Sequence, residues 1–236
     1  MNAQNVIADL QKVANKKKAV GNLRFFKTGP GQYGEGDIFI GTTTPQQRDI
    51  AKKYISLPLS EISTLLQNKI HDYRSVALQI LVLQFDKSQT QTEKSAIVEF
   101  YLKHRVFVNN WDLVDGTARQ ILGNWLLDKP TEQSQVLYDF ARSKILWERR
   151  IAIVATQAFI WNHRFEHTLK ISTILLLDDE DLMHKATGWM LREMGKKDEK
   201  PLRAFLDVYS KKMPRTMLRY SLERLDVKSK KKYMER

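Results

Sequence analysis

The sequence of 236 residues lacks cysteine and has no long apolar run. Without cysteine it cannot form disulfides, thiolate zinc sites, iron–sulfur clusters or a cysteine nucleophile, and a reducing, cytoplasmic setting is the simplest expectation. No stretch approaches the roughly 18 consecutive apolar residues that a transmembrane helix needs. The N-terminus places its lysines after a short amphipathic stretch, which is not the order of a secretory signal. We therefore expect no membrane partner.

Negative charge is scarce relative to positive charge. Lys and Arg together number 39 against 27 Asp and Glu, which gives a formal net charge of +12. Such an excess predicts attraction to a polyanion and carries no information about the fold. Nucleic acid and anionic membrane surfaces are the candidates, and the lack of membrane features favours nucleic acid. The hydrophobic content of 42% is typical of a folded protein rather than a disordered one.

Alternating strand patterns are also absent, and glycine is concentrated in one place. Four of the ten glycines lie in TGPGQYGEGD, residues 28–37, which predicts a long turn-rich loop or a hairpin. From Pro45 onward apolar residues recur at helical spacing, with Thr44 as the cap of the first helix. The predicted helices are 45–56, 59–67, 72–85, 92–103, 111–127, 131–141, 144–161, 166–176, 179–193, 200–209 and 214–225.

This pattern predicts an all-α fold in a single domain, residues 1–227, followed by a basic and frayed tail, 228–236. The strings YRSVALQI, ERRIAIVA and MHKATGWM share a polar or basic start followed by small and aliphatic residues. They place Ser75, Arg150 and Lys185 in equivalent positions. Degenerate repeats of this kind resemble HEAT-like helical pairs, which stack into a curved α-solenoid. The concave surface of such a solenoid would form a basic groove suited to duplex DNA.

Common enzyme motifs are missing. The sequence contains no Walker loop and no GxGxxG, GxSxG or HExxH motif. Among the histidines only His163 and His167 have an i, i+4 spacing, and no carboxylate pattern accompanies them. We therefore expect no metal site and no cofactor.

Four residues beside the apolar stripes of successive repeats are candidates for chemistry. Trp111 and Asp115 are four residues apart and share one helix face, Arg150 follows Asp115 by 35 residues, and Trp189 follows Arg150 by 39. If each interval is one repeat, all four face the same concave surface. Spacing alone leaves alternatives open. Tryptophans beside apolar stripes are usually core residues, Asp115 before Gly116 suits a turn, and Arg150 could simply bind phosphate.

Four segments, taken in order, resemble the AlkD-type DNA alkylation repair family. They are FIGTTTPQQRDIAKKY (Phe39–Tyr54), WDLVD (Trp111–Asp115), LWERRIAI (Leu146–Ile153) and KATGWMLREMG (Lys185–Gly195). The resemblance extends over most of the chain, although the Gly-rich loop departs from some members. It implies a HEAT-like repeat DNA glycosylase that removes cationic N3- or N7-alkylated purines from duplex DNA. Because a groove that clamps DNA works as a single copy, we expect a monomer.

The resemblance also implies which residues act. The family forms its catalytic cleft from a Trp and an Asp of a WDxVD segment, an Arg before an aliphatic helix and a Trp of a GWxLRE segment. These roles correspond here to Trp111, Asp115, Arg150 and Trp189. DNA contacts are expected from Thr43, Thr44, Arg48, Lys185 and Arg192.

Two other functions remain as alternatives. One is a non-catalytic DNA-binding protein selective for branched, bent or damaged DNA, with the Gly-rich loop as a wedge. The other is a HEAT-like protein-interaction module, which the charge of +12 disfavours.

Overall fold

The computed structural model describes residues 1–235, apart from the side chain of Thr131. Its α-helices are α1 (Ala3–Lys12), α2 (Lys16–Phe25), α3 (Thr44–Lys53), α4 (Leu59–Leu66), α5 (His71–Lys87), α6 (Gln91–Lys103), α7 (Trp111–Asp115), α8 (Asn124–Leu127), α9 (Gln135–Ala141), α10 (Leu146–Ala155), α11 (Gln157–Trp161), α12 (Glu166–Ile174), α13 (Asp181–Lys197), α14 (Glu199–Tyr209), α15 (Arg215–Leu222) and α16 (Val227–Met234). Within the described residues, β-type pairing is limited to one bridge between Ile38 and Ile70. The predicted all-α class is confirmed.

The chain divides into two compact units, Met1–Thr117 and Ala118–Arg236. In the first unit α3, α5 and α7 pack in a row, with α1 against α3 and α5 and with α4 against α5 and α1. In the second unit α10, α13 and α15 form a row of the same kind, with α9, α12, α14 and α16 against its members. None of the helices in the described part of the chain is both long enough and apolar enough to cross a membrane.

Three helices in these rows begin with the same hydrogen bonds. Each N-cap donates its backbone N–H to a side-chain oxygen two residues earlier, in the pairs Ile70–Asn68, Ile145–Ser143 and Glu180–Asp178. A basic side chain four residues after the N-cap then donates to the carbonyl oxygen six residues before it, in the pairs Arg74–Asn68, Arg149–Ser143 and His184–Asp178. This recurrence supports the repeat predicted from the sequence. The residues that directly follow these three basic side chains are Ser75, Arg150 and Lys185, which the sequence strings place in equivalent positions.

The same register runs through all six helices of the two rows. Their N-caps are Thr43, Ile70, Asn110, Ile145, Glu180 and Pro214. The fifth residue after each N-cap is, in order, Arg48, Ser75, Asp115, Arg150, Lys185 and Arg219. Four of the sequence-predicted site residues therefore occupy one equivalent helix position.

Two predicted helices are interrupted. The prediction of a single helix at 111–127 is wrong, because α7 ends at Asp115 and a π-helical turn, Arg119–Gly123, precedes α8. The helix predicted at 144–161 breaks at Thr156, whose hydroxyl donates to the carbonyl of Ile153 at 2.6 Å. Apolar residues keep their helical spacing through both breaks, so periodicity alone could not locate them.

The chain before Pro45 contains two helices that the apolar pattern did not predict. A capping box between Asn2 and Asn5 begins α1. Helix α2 buries no residue and leaves Phe25 exposed, so it has no apolar stripe that a sequence pattern could show. Residues 28–37 form successive turns rather than a hairpin.

The expectation of a frayed C-terminal tail is wrong. Val227–Met234 form α16, which Asp226 caps, and α16 packs on α15. Tyr233 is buried and donates its hydroxyl to Asp207 at 2.9 Å. Because the apolar ring of Tyr233 and the polar cap of Asp226 have partners elsewhere in the second unit, the lysine-rich sequence folds despite its charge. Arg236 lies outside the described residues.

Candidate functional site

Trp111 and Asp115 begin and end the five-residue helix α7. The side-chain oxygen of Asn110 accepts the backbone N–H of Trp111 at 2.8 Å, and the amide of Asn110 donates to Asp37 at 3.0 Å. Trp111 and Asp115 are both partly exposed. Trp111 is therefore not a fully buried core residue, which was the alternative that its spacing left open. Their spacing of four places both side chains on one face of α7.

Aromatic side chains support the indole of Trp111. Phe26 stacks on it with ring centroids 5.4 Å apart, and Phe25 meets it edge-on at 5.7 Å. Phe26 in turn stacks on Phe39 at 4.8 Å. Phe26 and Phe39 are buried, whereas Phe25 is 63% exposed. The indole therefore rests on a fixed aromatic base, and pairs of this geometry add about 0.5–1.5 kcal/mol each beyond the area they bury.

A polar cluster lies against this aromatic base. Asp37, the last residue of the Gly-rich loop, accepts hydrogen bonds from Arg74 at 2.5 Å, from Asn110 at 3.0 Å and from His71 at 3.1 Å. The other ring nitrogen of His71 bonds the carboxylate of Asp112 at 2.8 Å. The last residue of the loop is therefore anchored to the starts of α5 and α7.

Two pKa values in the cluster are shifted. Burial disfavours the charged imidazole of His71, but its hydrogen bonds to Asp112 and Asp37 outweigh burial and raise its pKa to about 9. Burial likewise opposes ionisation of Asp37, but hydrogen bonding to His71 and the charge of Arg74 lower its pKa below the ordinary value. At neutral pH the cluster therefore holds a protonated His71 and an ionised Asp37.

The start of α3 carries three predicted DNA contacts. Its N-cap is Thr43, not Thr44 as predicted, because the Thr43 hydroxyl accepts the N–H of Gln46 at 3.4 Å and donates to the Gln46 side chain at 2.8 Å. The hydroxyl of Thr43 is thus occupied by the capping box. Thr44 and Arg48 are exposed and, four residues apart, lie on one face of α3.

Buried hydrogen bonds hold α3 beside α5. The carboxylate of Asp72 accepts the N–H of Ile40 at 3.0 Å and both the N–H and the hydroxyl of Thr42, at 2.8 and 2.5 Å. Gln47 donates to the Thr42 hydroxyl at 2.9 Å and accepts from Ser75 at 2.8 Å. With the His71–Asp112 bond, these contacts place the starts of α3, α5 and α7 side by side in the first unit.

Arg149 and Arg150 are neighbours at the start of α10, but their surroundings differ. Arg149 donates to both carboxylate oxygens of Asp178, at 2.6 and 3.2 Å. Arg150 is only 5% exposed and donates to the carbonyl of Leu182 in the first turn of α13 at 2.8 Å. Arg149 is therefore a structural clamp, and Arg150 is a buried guanidinium held at the first turn of α13.

Trp189 lies on the side of α13 away from the core. The residues that α13 buries most fully along one side include Met183, Met190 and Met194. At 100° per residue, Lys185, Trp189 and Arg192 fall on the opposite side. Trp189 is partly exposed, so it is not a sealed core residue either.

The two basic neighbours of Trp189 have acidic partners. Lys185 pairs with Asp181 at 2.6 Å, one turn earlier on α13. Arg192 pairs with Glu223, just after α15, and its side chain is 20% exposed. A phosphate could bind either residue only by replacing or sharing these carboxylates.

Helix α15 runs beside α13 in the same direction. Asp181 lies near Thr216 at the two helix starts, and Arg192 meets Glu223 at the far end of α15. A Cβ on Gly188 would lie 2.5 Å from the carbonyl oxygen of Met217, so glycine permits this close approach. The sequence interpretation did not include α15 in the repeat, and one further step from Lys185 reaches the exposed Arg219.

The predicted site residues thus form two sets, one in each unit. Thr43, Thr44, Arg48, Trp111 and Asp115 belong to the first, and Arg150, Lys185, Trp189 and Arg192 belong to the second. Within residues 1–235 no three His, Asp or Glu side chains are grouped so that they could hold a metal ion. His167, one of the two spaced histidines, is buried and hydrogen-bonds Tyr138 at 2.8 Å.

Comparison with known proteins identifies both the fold and the family. A solved structure described as a predicted DNA alkylation repair enzyme from Enterococcus faecalis is similar, with a TM-score of 0.71 and 19% sequence identity over 91% of this chain and 97% of that chain. This similarity establishes an all-α helical-repeat fold. No curated protein matches the sequence significantly. Residues 6–225 match the family described as DNA alkylation repair enzyme, and this chain therefore belongs to that family.

Proposed function

We propose that the protein is a monofunctional DNA glycosylase that hydrolyses the N-glycosidic bond of cationic N3- or N7-alkylated purines in duplex DNA. Membership of the DNA alkylation repair family makes it a repair enzyme that acts on DNA. The observation that carries the finer proposal is that all four residues assigned by resemblance are present, Trp111, Asp115, Arg150 and Trp189. We further propose that it acts as a monomer in the cytoplasm, without a cofactor.

The substrate supplies much of the reactivity. An alkyl group at N3 or N7 places a positive charge on the purine. When the bond to C1′ of the deoxyribose breaks, its electron pair passes to the base, which leaves as a neutral molecule without protonation. Water adds to C1′ and loses a proton, and an abasic site remains. The enzyme must therefore stabilise positive charge on the sugar and position the water.

The first unit supplies the groups that suit this task. The carboxylate of Asp115 would stabilise the cationic sugar electrostatically and orient the water. The indole of Trp111, fixed by Phe26 and partly exposed, would present an aromatic face to the lesion nucleotide. An aromatic face attracts a nearby cation by about 0.5–2 kcal/mol. The catalytic function therefore depends on the position of α7.

The second unit supplies groups for the backbone. Trp189 would present an aromatic face to DNA, and Arg150 would hold a phosphate by charge-assisted hydrogen bonds. Lys185 and Arg192 would exchange their carboxylate partners for phosphates. Most glycosylases rotate the target base into a pocket. The family resemblance implies that this lesion need not be rotated out of the duplex, which would allow bulky adducts.

Arg150→Ala is expected to weaken both DNA binding and base excision. Loss of a charge-assisted phosphate contact costs about 1.5–3 kcal/mol, which corresponds to an affinity about 10- to 100-fold lower. Fluorescence anisotropy with methylated duplex DNA and single-turnover excision would measure the two effects at a temperature where the variant is folded. Arg149→Ala is the matched control. It should lower the melting temperature because it breaks the clamp on Asp178, but it should spare affinity. Unchanged binding and excision in Arg150→Ala would remove Arg150 from the site.

Arg219 extends the repeat register by one helix, and we propose that it contacts a DNA phosphate. Arg219→Ala should weaken binding to all duplex sequences alike and reduce the slope of log affinity against log salt concentration by about 1. Arg215→Ala is the control on the same helix, because Arg215 is directed to the carbonyl of Met234 at 3.0 Å. An equal salt slope in wild type and Arg219→Ala would contradict the contact.

The proposed function is tested by incubating wild-type protein with methylated duplex DNA and identifying freed bases by mass spectrometry. We expect 7-methylguanine or 3-methyladenine in solution, together with strands that break only after alkaline treatment of the abasic sites. Tight DNA binding with no freed base would instead support the non-catalytic DNA-binding alternative. Strand breaks without alkaline treatment would contradict the monofunctional mechanism.

A further inference from the structure

His71 lies between two carboxylates and cannot satisfy both of them as a neutral ring. One ring nitrogen, Nδ1, lies 3.1 Å from Asp37, and the other, Nε2, lies 2.8 Å from Asp112. An ionised carboxylate only accepts hydrogen bonds, and a neutral imidazole has a single N–H. Either neutral tautomer would therefore direct a lone pair at a carboxylate. Only the imidazolium form can donate to both.

The surroundings of His71 balance its charge. Asp37 comes from the loop, Asp112 from α7, and Arg74 from the helix that His71 begins. Arg74 lies 3.5 Å from Nδ1 and opposes protonation, but it donates to Asp37 at 2.5 Å. These three charged groups and the imidazolium sum to zero. The charge balance lowers the cost of burying an ionised ring.

The rings around His71 link it to the indole of Trp111. Phe26 and Phe39 lie over the imidazole, with centroids 5.0 and 4.7 Å away. Phe26 also stacks on Trp111, and Asp112 is the residue that follows Trp111 in α7. The imidazole thus touches both the aromatic base of the indole and the helix that carries it.

We propose that His71 is a positioning residue, whose imidazolium joins Asp37 of the Gly-rich loop to Asp112 of α7 and so holds Trp111 and Asp115 in their working orientation. His71 itself does not touch the substrate. The proposal gives the loop a function, because its last residue anchors the helix that carries the catalytic groups. The catalytic consequence rests on the proposed function, whereas the positioning of α7 does not.

The contribution of His71 to stability depends on pH. The pKa of His71 is about 9 in the folded protein, above the ordinary value of 6.5, so the stability it contributes is fully present below about pH 6.5. That contribution is lost as the pH rises through 9. Asp37 acts in the opposite direction, since its lowered pKa gives stability that is lost only in acid. At neutral pH both groups are charged in the folded protein.

The protonation state is tested by NMR of full-length protein labelled with ¹⁵N in the histidine rings. Spectra are recorded between pH 6 and 10, and we expect both ring nitrogens of His71 to carry protons at pH 7.5. The indole resonance of Trp111 should shift with the same midpoint as His71. A neutral His71 ring at pH 7.5 would overturn the proposal, and so would a Trp111 chemical shift that does not change as His71 titrates. This measurement requires no variant and no substrate.

His71→Gln tests the positioning effect, because glutamine hydrogen-bonds without the charge. We expect the maximal excision rate to fall about 10- to 100-fold, the scale of a displacement near 1 Å, while DNA affinity changes much less. The pH dependence of the Trp111 resonance should disappear. His104→Gln is the control in the same unit, since His104 bonds Ser63 and Phe100 instead. A His71→Gln protein with wild-type excision and wild-type Trp111 resonances would contradict the role. If wild type frees no base, the proposed function fails, and the NMR measurement still decides the positioning of α7.

Discussion

Asp115→Asn is expected to slow the release of 7-methylguanine from methylated duplex DNA by about 10²–10³-fold while leaving DNA affinity nearly unchanged. Asparagine keeps the shape of the side chain and can still accept a hydrogen bond, but it carries no negative charge. In the proposed mechanism that charge is needed only as the sugar becomes cationic, so its loss raises the barrier without weakening the ground-state complex. Removal of one such electrostatic group slows catalysis by about 10²–10³-fold.

Single-turnover excision with enzyme in excess is the appropriate measurement, because it separates the chemical step from binding and product release. Anisotropy titrations with the same duplex would report affinity. Asp128→Asn, at an exposed carboxylate in the second unit, is the control for loss of one negative charge. An Asp115→Asn protein that excises at the wild-type rate would overturn the role of Asp115. A variant that neither binds nor excises would point to a structural role instead.

The sequence predicted the register of the site better than it predicted the helix boundaries. Asp115, Arg150 and Lys185 recur at steps of 35 residues, and the structure places each five residues after an N-cap. Such a step is visible because a repeat places residues at equivalent helix positions even where their chemistry differs. The final step to Arg219 was missed because α15 shares no residue pattern with the earlier strings.

The anchoring of α7 could not be predicted from sequence. Asp37, His71 and Asp112 are separated by 34 and 41 residues, and none of the intervals matches a motif. Asp37 follows a run of glycines that indicates only a turn-rich loop. The contact depends on where the end of the loop meets the starts of two helices, which periodicity does not encode. The sequence thus identified Trp111 and Asp115 as candidates but not the groups that hold them.

A guanidinium clamp occurs in each unit, and the two clamps differ in which acid they use. Arg149 donates to Asp178, the residue three before α13, whereas Arg74 donates to Asp37, at the end of the Gly-rich loop. The clamp in the second unit therefore joins two successive helices of its row. In the first unit the clamp joins α5 to the Gly-rich loop. The same aspartate, Asp37, also accepts hydrogen bonds from His71 and Asn110. Asp37 therefore accepts hydrogen bonds from more side chains than Asp178 does.

Asp37→Asn is accordingly expected to lower the free energy of unfolding by about 3–5 kcal/mol, because it leaves the buried charges of Arg74 and His71 without their shared partner. Urea denaturation at pH 6 would measure the loss. Asp9→Asn is the matched control in the same unit. Asp9 also has two basic partners, Lys12 and Lys53, but both are more than half exposed. An exposed pair contributes about 0–1 kcal/mol, so the control should change stability little.

The pH dependence of this penalty separates a charge effect from a simple loss of packing. At pH 6 the Asp37→Asn protein must bury two cations against the single carboxylate of Asp112. As the pH rises through 9 the wild-type protein loses the charge of His71 and with it the attraction between His71 and Asp37, so the penalty should shrink. A penalty that stays constant from pH 6 to 10 would mean that His71 is not charged in the folded protein. A penalty no larger than that of Asp9→Asn would mean that the loop does not anchor α7, and the orientation of Trp111 and Asp115 would then need another cause.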